Sequence, residues 1–214
     1  MVSAKLSSVR AGESLMTPRR WHTCQPIDLH SLARQWFIGA KRIELQKLAV
    51  ELGISRATAY RWAGSAEQLV GHVLASLVDD TFQIIIRQTT GTGSERVLEV
   101  LDRGMYIASR FQPLRKFLAK DAQLGLRIVA SSHSPVQERT ITNLRQLLEE
   151  EIAGGHMTLP VEPTVMAYAL TRIVESFLYA DLITGTTPDL ENASKILGLM
   201  LRQDESIQRQ SISN

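Results

Sequence analysis

The 214-residue chain has a single cysteine, Cys24, which excludes an intramolecular disulfide framework and a thiolate zinc cluster and fits a reducing compartment. Its 13 glycines and 7 prolines fall short of an average share of roughly 12%, and no proline lies between Pro26 and Pro113. Turn-formers this sparse argue for helices over a many-stranded fold. There is no apolar run of the roughly 20 residues that a membrane helix needs, and no apolar segment behind the basic N-terminal residues. A soluble, unexported, cytoplasmic protein is expected. His133 and His156 lack metal-ligand spacing, and no Ser/His/Asp order, glycine-rich phosphate loop or carboxylate cluster is present. No catalytic residue, metal or cofactor is therefore assigned. Charge in excess is also scarce: 24 Lys and Arg against 22 Asp and Glu leave +2, too little to imply a polyanionic partner. What is present is apolar, and a 44% hydrophobic content excludes wholesale disorder.

Residues 1–27 show no periodicity, are rich in Ser, Thr, Arg and Lys, and read as a flexible basic arm whose Arg19-Arg20-Trp21 is a candidate for lying along a duplex. Asp28 is placed to cap a helix with apolar positions Leu29, Leu32, Ala33, Trp36 and Phe37. Two short helices then flank LGIS. Ile43, Leu45, Leu48, Ala49 and Leu52 give the first an apolar face, Gly53 can end it in the left-handed conformation, and Ser55 can cap the second, residues 56–62. Ser65 and Gln68 frame a capping box opening a helix to about Arg87. Beyond the loop TTGTG, residues 94–111 and 136–152 are helical, with breaks at Pro113, Ser134-Pro135, Gly154-Gly155 and Leu159-Pro160. Residues 163–183 form the most apolar helix, and Pro188 is placed at the first position of a last one. The expected fold is all-α: a helix-turn-helix domain over residues 28–72 and a helical ligand-binding and dimerisation domain over 73–214.

A helix-turn-helix needs a bracing helix, a turn too short to let the helices splay, and a second helix narrow and polar enough for a major groove about 12 Å wide. Residues 45–62 meet that description, with Arg56, Ala57, Thr58, Tyr60 and Arg61 on the second helix. Spacing alone is equally compatible with an ordinary helical hairpin carrying exposed basic residues.

The run LQKLAVELGISRATAYRWAGSAEQLVGHVL, residues 45–74, resembles the DNA-binding signature of the tetracycline-repressor (TetR/AcrR) family. It has the apolar-Ala pair Leu48-Ala49, the turn Leu52-Gly53-Ile54-Ser55, Thr58 two residues before Tyr60, and a following helix opening in Ser65, Glu67 and Leu69. Two positions depart from the family pattern: Ala63 stands where an aromatic usually closes the recognition helix, with Trp62 one place earlier, and Ala66 stands where a phosphate-touching Lys is common. The resemblance implies that the second helix enters the major groove and that Tyr60 approaches a phosphate. On chemistry, Arg56 and Arg61 suit phosphates or a guanine edge and Thr58 a phosphate or a thymine methyl, with Ser55 and Ala57 beside them. Lys41, Arg42 and Gln46 flank the backbone at the start of the bracing helix, whereas Lys47 reads as a solvated charge. The strings LGISRATAYRW and RIVESFLYADLITGTTPDL are also similar to regulators of acyl-homoserine-lactone degradation within the family, implying a lactone or acyl effector.

In the C-terminal region, Tyr168, Arg172, Glu175 and Tyr179 form one polar stripe on an otherwise apolar helix, and an Arg172–Glu175 pair lines a pocket or serves as a structural ion pair. Met105, Tyr106, Phe111, Phe117 and Phe177 suit an apolar cavity, core packing being the plainer role for any one of them. The expected dimer interface, a four-helix bundle as in the family, uses Val165 with the seam Leu190, Ala193, Leu197, Met200 and Leu201. The expected function is a homodimeric transcriptional regulator, a repressor released from a pseudo-palindromic operator by a small apolar or amphipathic effector. A helical protein-binding module without DNA, and a small enzyme using Arg172 and Glu175, are the rivals. The near-neutral total supports the first reading once divided: residues 1–72 hold 10 basic and 5 acidic side chains, residues 73–214 hold 14 and 17. A basic head sits on a mildly acidic body.

Overall fold

A computed structural model describes residues 24–202, and every regular element in that span is an α-helix. Arg19-Arg20-Trp21 of the candidate arm lie outside the described residues. α1 (Pro26–Ile38) starts earlier than Asp28 suggested: Pro26 takes the first turn, and Asp28 accepts the Gln25 backbone N–H at 2.7 Å from within it. α2 (Leu45–Leu52) ends at Gly53, whose φ of +66° is a left-handed conformation that a Cβ disfavours. Ser55 Oγ accepts the Thr58 N–H at 3.0 Å and opens α3 (Arg56–Ala63). Ser65 likewise caps α4 (Ala66–Gln88) through the Gln68 N–H.

The body follows: α5 (Gly93–Arg110), α6 (Gln112–Lys120), α7 (Ala122–Ala130), α8 (Pro135–Ala153), α9 (Pro163–Leu178), α10 (Ala180–Ile183) and α11 (Leu190–Leu201). α6 and α7, separated by the capping residue Asp121, occupy a stretch where the sequence marks only breaks. The apolar helix after Pro163 stops at Leu178 rather than Ile183, because Tyr179 (φ −108°, ψ 20°) turns the chain into α10. Asp189 caps α11 through the Asn192 N–H at 3.0 Å, which leaves Pro188 outside the helix.

Two apolar cores share α4. The first joins α1, α2 and α3 to α6 and α7 around Leu29, Ala33, Leu48, Ala59, Val73 and Leu118; the second joins α5, α8, α9 and α11 around Val97, Leu144, Leu147, Leu170 and Leu197. Leu69, Val73 and Leu74 of α4 lie in the first and Ile85 in the second, so residue 72 falls within a continuous helix. α4 has the length and composition of a membrane span, contrary to the expectation above; here it packs against α1, α5, α7 and α8. Charged groups tie elements together as well: Arg34 reaches Asp80 and Ser76, Arg127 pairs with Glu67 at 2.8 Å, Arg115 binds Asp181, and buried Glu151 takes Arg96 and the Gly93 N–H.

The expected dimer seam on α11 is corrected. Ala193, Leu197 and Leu201 are at most 2% exposed within a single chain, packed toward α5 and α9. They form this chain's own core and are unavailable to a partner, while Leu190 and Met200 are half-buried. Val165 is exposed, and so are Tyr168, Ile196 and Leu199.

Candidate nucleic-acid interface and ligand cavity

α3 is anchored by Ala59, fully buried beneath it, and closed by Trp62, which lies half-buried against the first core where the family pattern has its aromatic one residue later. With that side inward, Arg56, Ala57, Tyr60 and Arg61 are all exposed. Ser55 is exposed too, but its Oγ is occupied by the Thr58 amide and lies 2.9 Å from the Thr58 hydroxyl, so these two side chains hold the start of the helix. Lys41, Arg42 and Gln46 are exposed, while Lys47 pairs with Glu44 at 3.0 Å. Val50 of α2, 78% exposed, shares a shallow depression with Gln46 and Arg56. The sequence pattern does not single it out, because an apolar residue in a helix is expected inside; its only signal is a position off the Leu45–Leu48–Leu52 face.

A cavity of about 370 Å³ lies between α4, α5, α8 and α9, closed at one end by α6 and α7. Met105, Phe111 and Glu175 of the expected set line it. The others do not. Tyr106 is exposed on α5 against Arg110, and Tyr168 is exposed on α9. Phe117 instead packs edge-on against Phe37 of α1, at 5.8 Å, with Phe111 also beside Phe37 at 6.3 Å. Phe177 packs on the second core. Arg172 points outward from α9, donating to the Ala130 carbonyl at 2.9 Å and to Glu175 at 2.6 Å. A long cationic side chain leaves an apolar wall for the nearest polar partners at its edge.

Much of the lining comes from α4, through Leu77, Thr81, Phe82 and Ile85, which no sequence signal separates from ordinary core. The polar groups are few: Thr81, Thr140, Thr171, Glu175 and Tyr179, with no Lys, Arg or His. Thr171 is 1% exposed and its hydroxyl has no partner among the described residues. One turn along α9, burial pushes the Glu175 carboxyl up to about 7, against the opposing pull of Arg172 and Gln137. Burial also raises the Tyr179 phenol, with Glu175 adding to it. At neutral pH this end of the cavity therefore offers both hydrogen-bond donors and acceptors without a fixed positive charge.

A family model described as the C-terminal domain of tetracycline-repressor-like proteins matches residues 92–202. None of the functionally curated proteins matches the chain. Among solved structures, the R. erythropolis transcriptional repressor QsdR of the TetR family aligns with a TM-score of 0.78 and 26% identity, covering 84% of this chain and 97% of that one. The TetR-family repressor AlkX from Dietzia sp., implicated in biodegradation of n-alkanes, aligns at 0.55 with 19% identity, covering 86% and 99%. The transcriptional regulator FadR of Bacillus subtilis, solved with stearoyl-CoA, aligns at 0.52 with 14% identity, covering 83% and 97%. At those identities the latter two speak to fold.

Proposed function

The chain belongs to the tetracycline-repressor family, and from that premise we propose that it is a ligand-responsive transcriptional repressor, not an enzyme, that binds operator DNA through α3. The observation that carries the reading is the outward face of α3: a short helix pinned by Ala59 and capped by Ser55, with Arg56, Ala57, Tyr60 and Arg61 exposed together. These side chains, with Lys41, Arg42 and Gln46, are the proposed DNA contacts, and Thr58 contributes by fixing the helix start. Residues 28–72 form the reading head, although α4 carries that head's last turns directly into the body.

The effector site is the cavity. Its lining suits a neutral amphipathic compound, a lactone or acyl compound among them, whose carbonyl meets the Thr171 and Glu175 end while its chain lies along Phe82, Ile85 and Met105. Free carboxylates fit poorly, since the cavity wall carries the acid Glu175 and no cation, and the nearby Arg172 is already engaged by Glu175 and the Ala130 carbonyl. Effector binding favours a different setting of α6 and α7, the wall between cavity and reading head, and so a different spacing of the two heads in a homodimer. For the dimer we propose the exposed face of α9 and α11, with Val165, Tyr168, Ile196 and Leu199, in place of the buried seam.

Duplex titration tests the DNA reading with a fragment from the region upstream of the coding sequence. Arg56→Ala with Arg61→Ala should weaken binding by at least roughly tenfold and flatten its salt dependence, with helical circular dichroism unchanged. Unaltered affinity in the double variant rules out α3 as the reading helix.

A further inference from the structure

A cleft of about 540 Å³ separates the end of α1 and the start of α4 from α6 and α7, on the opposite side of the α6–α7 wall from the effector cavity. Four cations line it, Lys41 and Arg42 from the α1–α2 turn and Lys116 and Lys120 from α6. Both acids in the lining are engaged: Glu67 pairs with Arg127 at 2.8 Å, and Asp121 accepts the Leu124 N–H at 3.0 Å as the cap of α7. Among the described residues none of the four cations has an ion-pair partner, and Lys41 alone has a substitute in the Trp36 ring, 5.7 Å away.

Beneath the charges the floor is apolar. Phe37, Val70 and Ile128 are 4–7% exposed, and Phe117 is half-buried beside them. The α1–α2 turn that carries Lys41 and Arg42 passes through Ala40 at φ +53°, a left-handed conformation that an alanine Cβ disfavours. Lys120 is close enough to the reading head that, after the Lys47 hydrogen bond, its charge and that of Arg42 contribute to holding the Glu44 carboxyl below its ordinary value.

We propose that this cleft is a second binding site, for a small amphipathic anion such as a medium-chain alkanoate. Like charges from two domains face one another over apolar surface, so the field in the cleft is positive and the floor is poorly hydrated. A carboxylate bridging the α1–α2 turn and α6 neutralises the first, and a short aliphatic tail covers the second. Chemically the two sites are opposites: the cavity holds an acid and no base, the cleft unpaired bases. Occupying the cleft clamps α6 to the reading head, so an anion there acts on the same wall that the effector moves from within. The cleft assignment does not depend on the identity of the effector.

Isothermal titration of the full chain with octanoate, and with octan-1-ol as its neutral isostere, tests the site at about pH 8, where the carboxylate is ionised. Octanoate should saturate and bind at least about tenfold more tightly than the alcohol, and Lys116→Gln with Lys120→Gln should remove that difference. Gly104→Phe, which fills the effector cavity at a position where a Cβ meets nothing within 4 Å, should leave octanoate binding intact. Octanoate binding that survives the lysine substitutions, that is lost in Gly104→Phe, or that never saturates overturns the proposal. Loss of duplex affinity in the lysine variant without octanoate saturation assigns these cations to DNA phosphates instead, and the proposal fails.

Discussion

Glu175 shares its carboxylate between Gln137 and Arg172, and burial holds its pKa at about 7, so at mildly acidic pH the native state keeps a proton that the unfolded chain has released. The native group binds more protons than the unfolded one between the ordinary carboxylate range and pH 7. Stability is therefore fully present below that range and is lost as pH rises through about 7. Relative to Glu175→Gln, the wild type should lose up to roughly 3 kcal/mol between pH 5 and pH 8 in urea titrations, and a constant difference at both pH values contradicts a buried proton at this position. Arg172, its neighbour in the polar stripe, illustrates what spacing conceals. The stripe runs along α9 from solvent at Tyr168 to the buried Tyr179 just past its end, and Arg172 spans its edge, holding Glu175 and the Ala130 carbonyl together. The exposed residues of α3 were legible because a short helix rich in polar and basic groups has little apolar surface to turn inward, and Ala59 is the one residue it buries fully. Cavity residues were not, because Leu77 or Ile85 facing an empty space looks the same in sequence as one facing a neighbour.

Several helix ends were readable from a residue with specific chemistry: Gly53, Ser55 and Ser65 each end or cap a helix as expected, whereas Asp28 and Pro188 do not stand at the starts of theirs, which are Pro26 and Leu190. α6 and α7 were not, because Asp121 interrupts the spacing of Leu114, Phe117, Leu118, Leu124 and Ile128 after only two turns. α11 shows a different limit. Ala193, Leu197 and Leu201 lie on one face and Ile196 and Leu199 on another, and periodicity reveals both without saying which meets its own chain. The two faces predict separable outcomes. Leu197→Ala should destabilise the protein by about 2–5 kcal/mol in denaturant titrations, as deletion of a fully buried leucine does. Leu199→Glu, at a position 63% exposed, should leave helical content and stability unchanged while light scattering reports monomers. A persistent dimer in that variant excludes α11 from the interface.

The near-zero charge of the whole chain resolves into a basic head and an acidic body, and the two are joined through aromatic packing as well as through α4. Phe37 of the head meets both Phe111, which lines the cavity, and Phe117, which lines the cleft. In the proposed mechanism a displacement of α6 would reach α1 through these contacts. Truncating that contact with Phe117→Ala should preserve operator affinity in the absence of effector yet reduce the change in affinity caused by a medium-chain lactone from the roughly 5–150-fold expected of such coupling toward none. The check is one pair of duplex titrations, with and without lactone, on each protein; an undiminished change places the coupling route elsewhere.

α4 belongs to both cores without a break, from Leu69 beside the reading head to Ile85 above the cavity. Head and body are consequently not interchangeable parts. A chimera cut at residue 72 would sever a helix in mid-course and leave each half with an apolar face shaped for a partner it no longer has. On the proposed roles of α3 and the cavity, new operator specificity or a new sensor is to be introduced by changing side chains there within the intact chain. Retargeting here is a matter of substitution, not of domain shuffling.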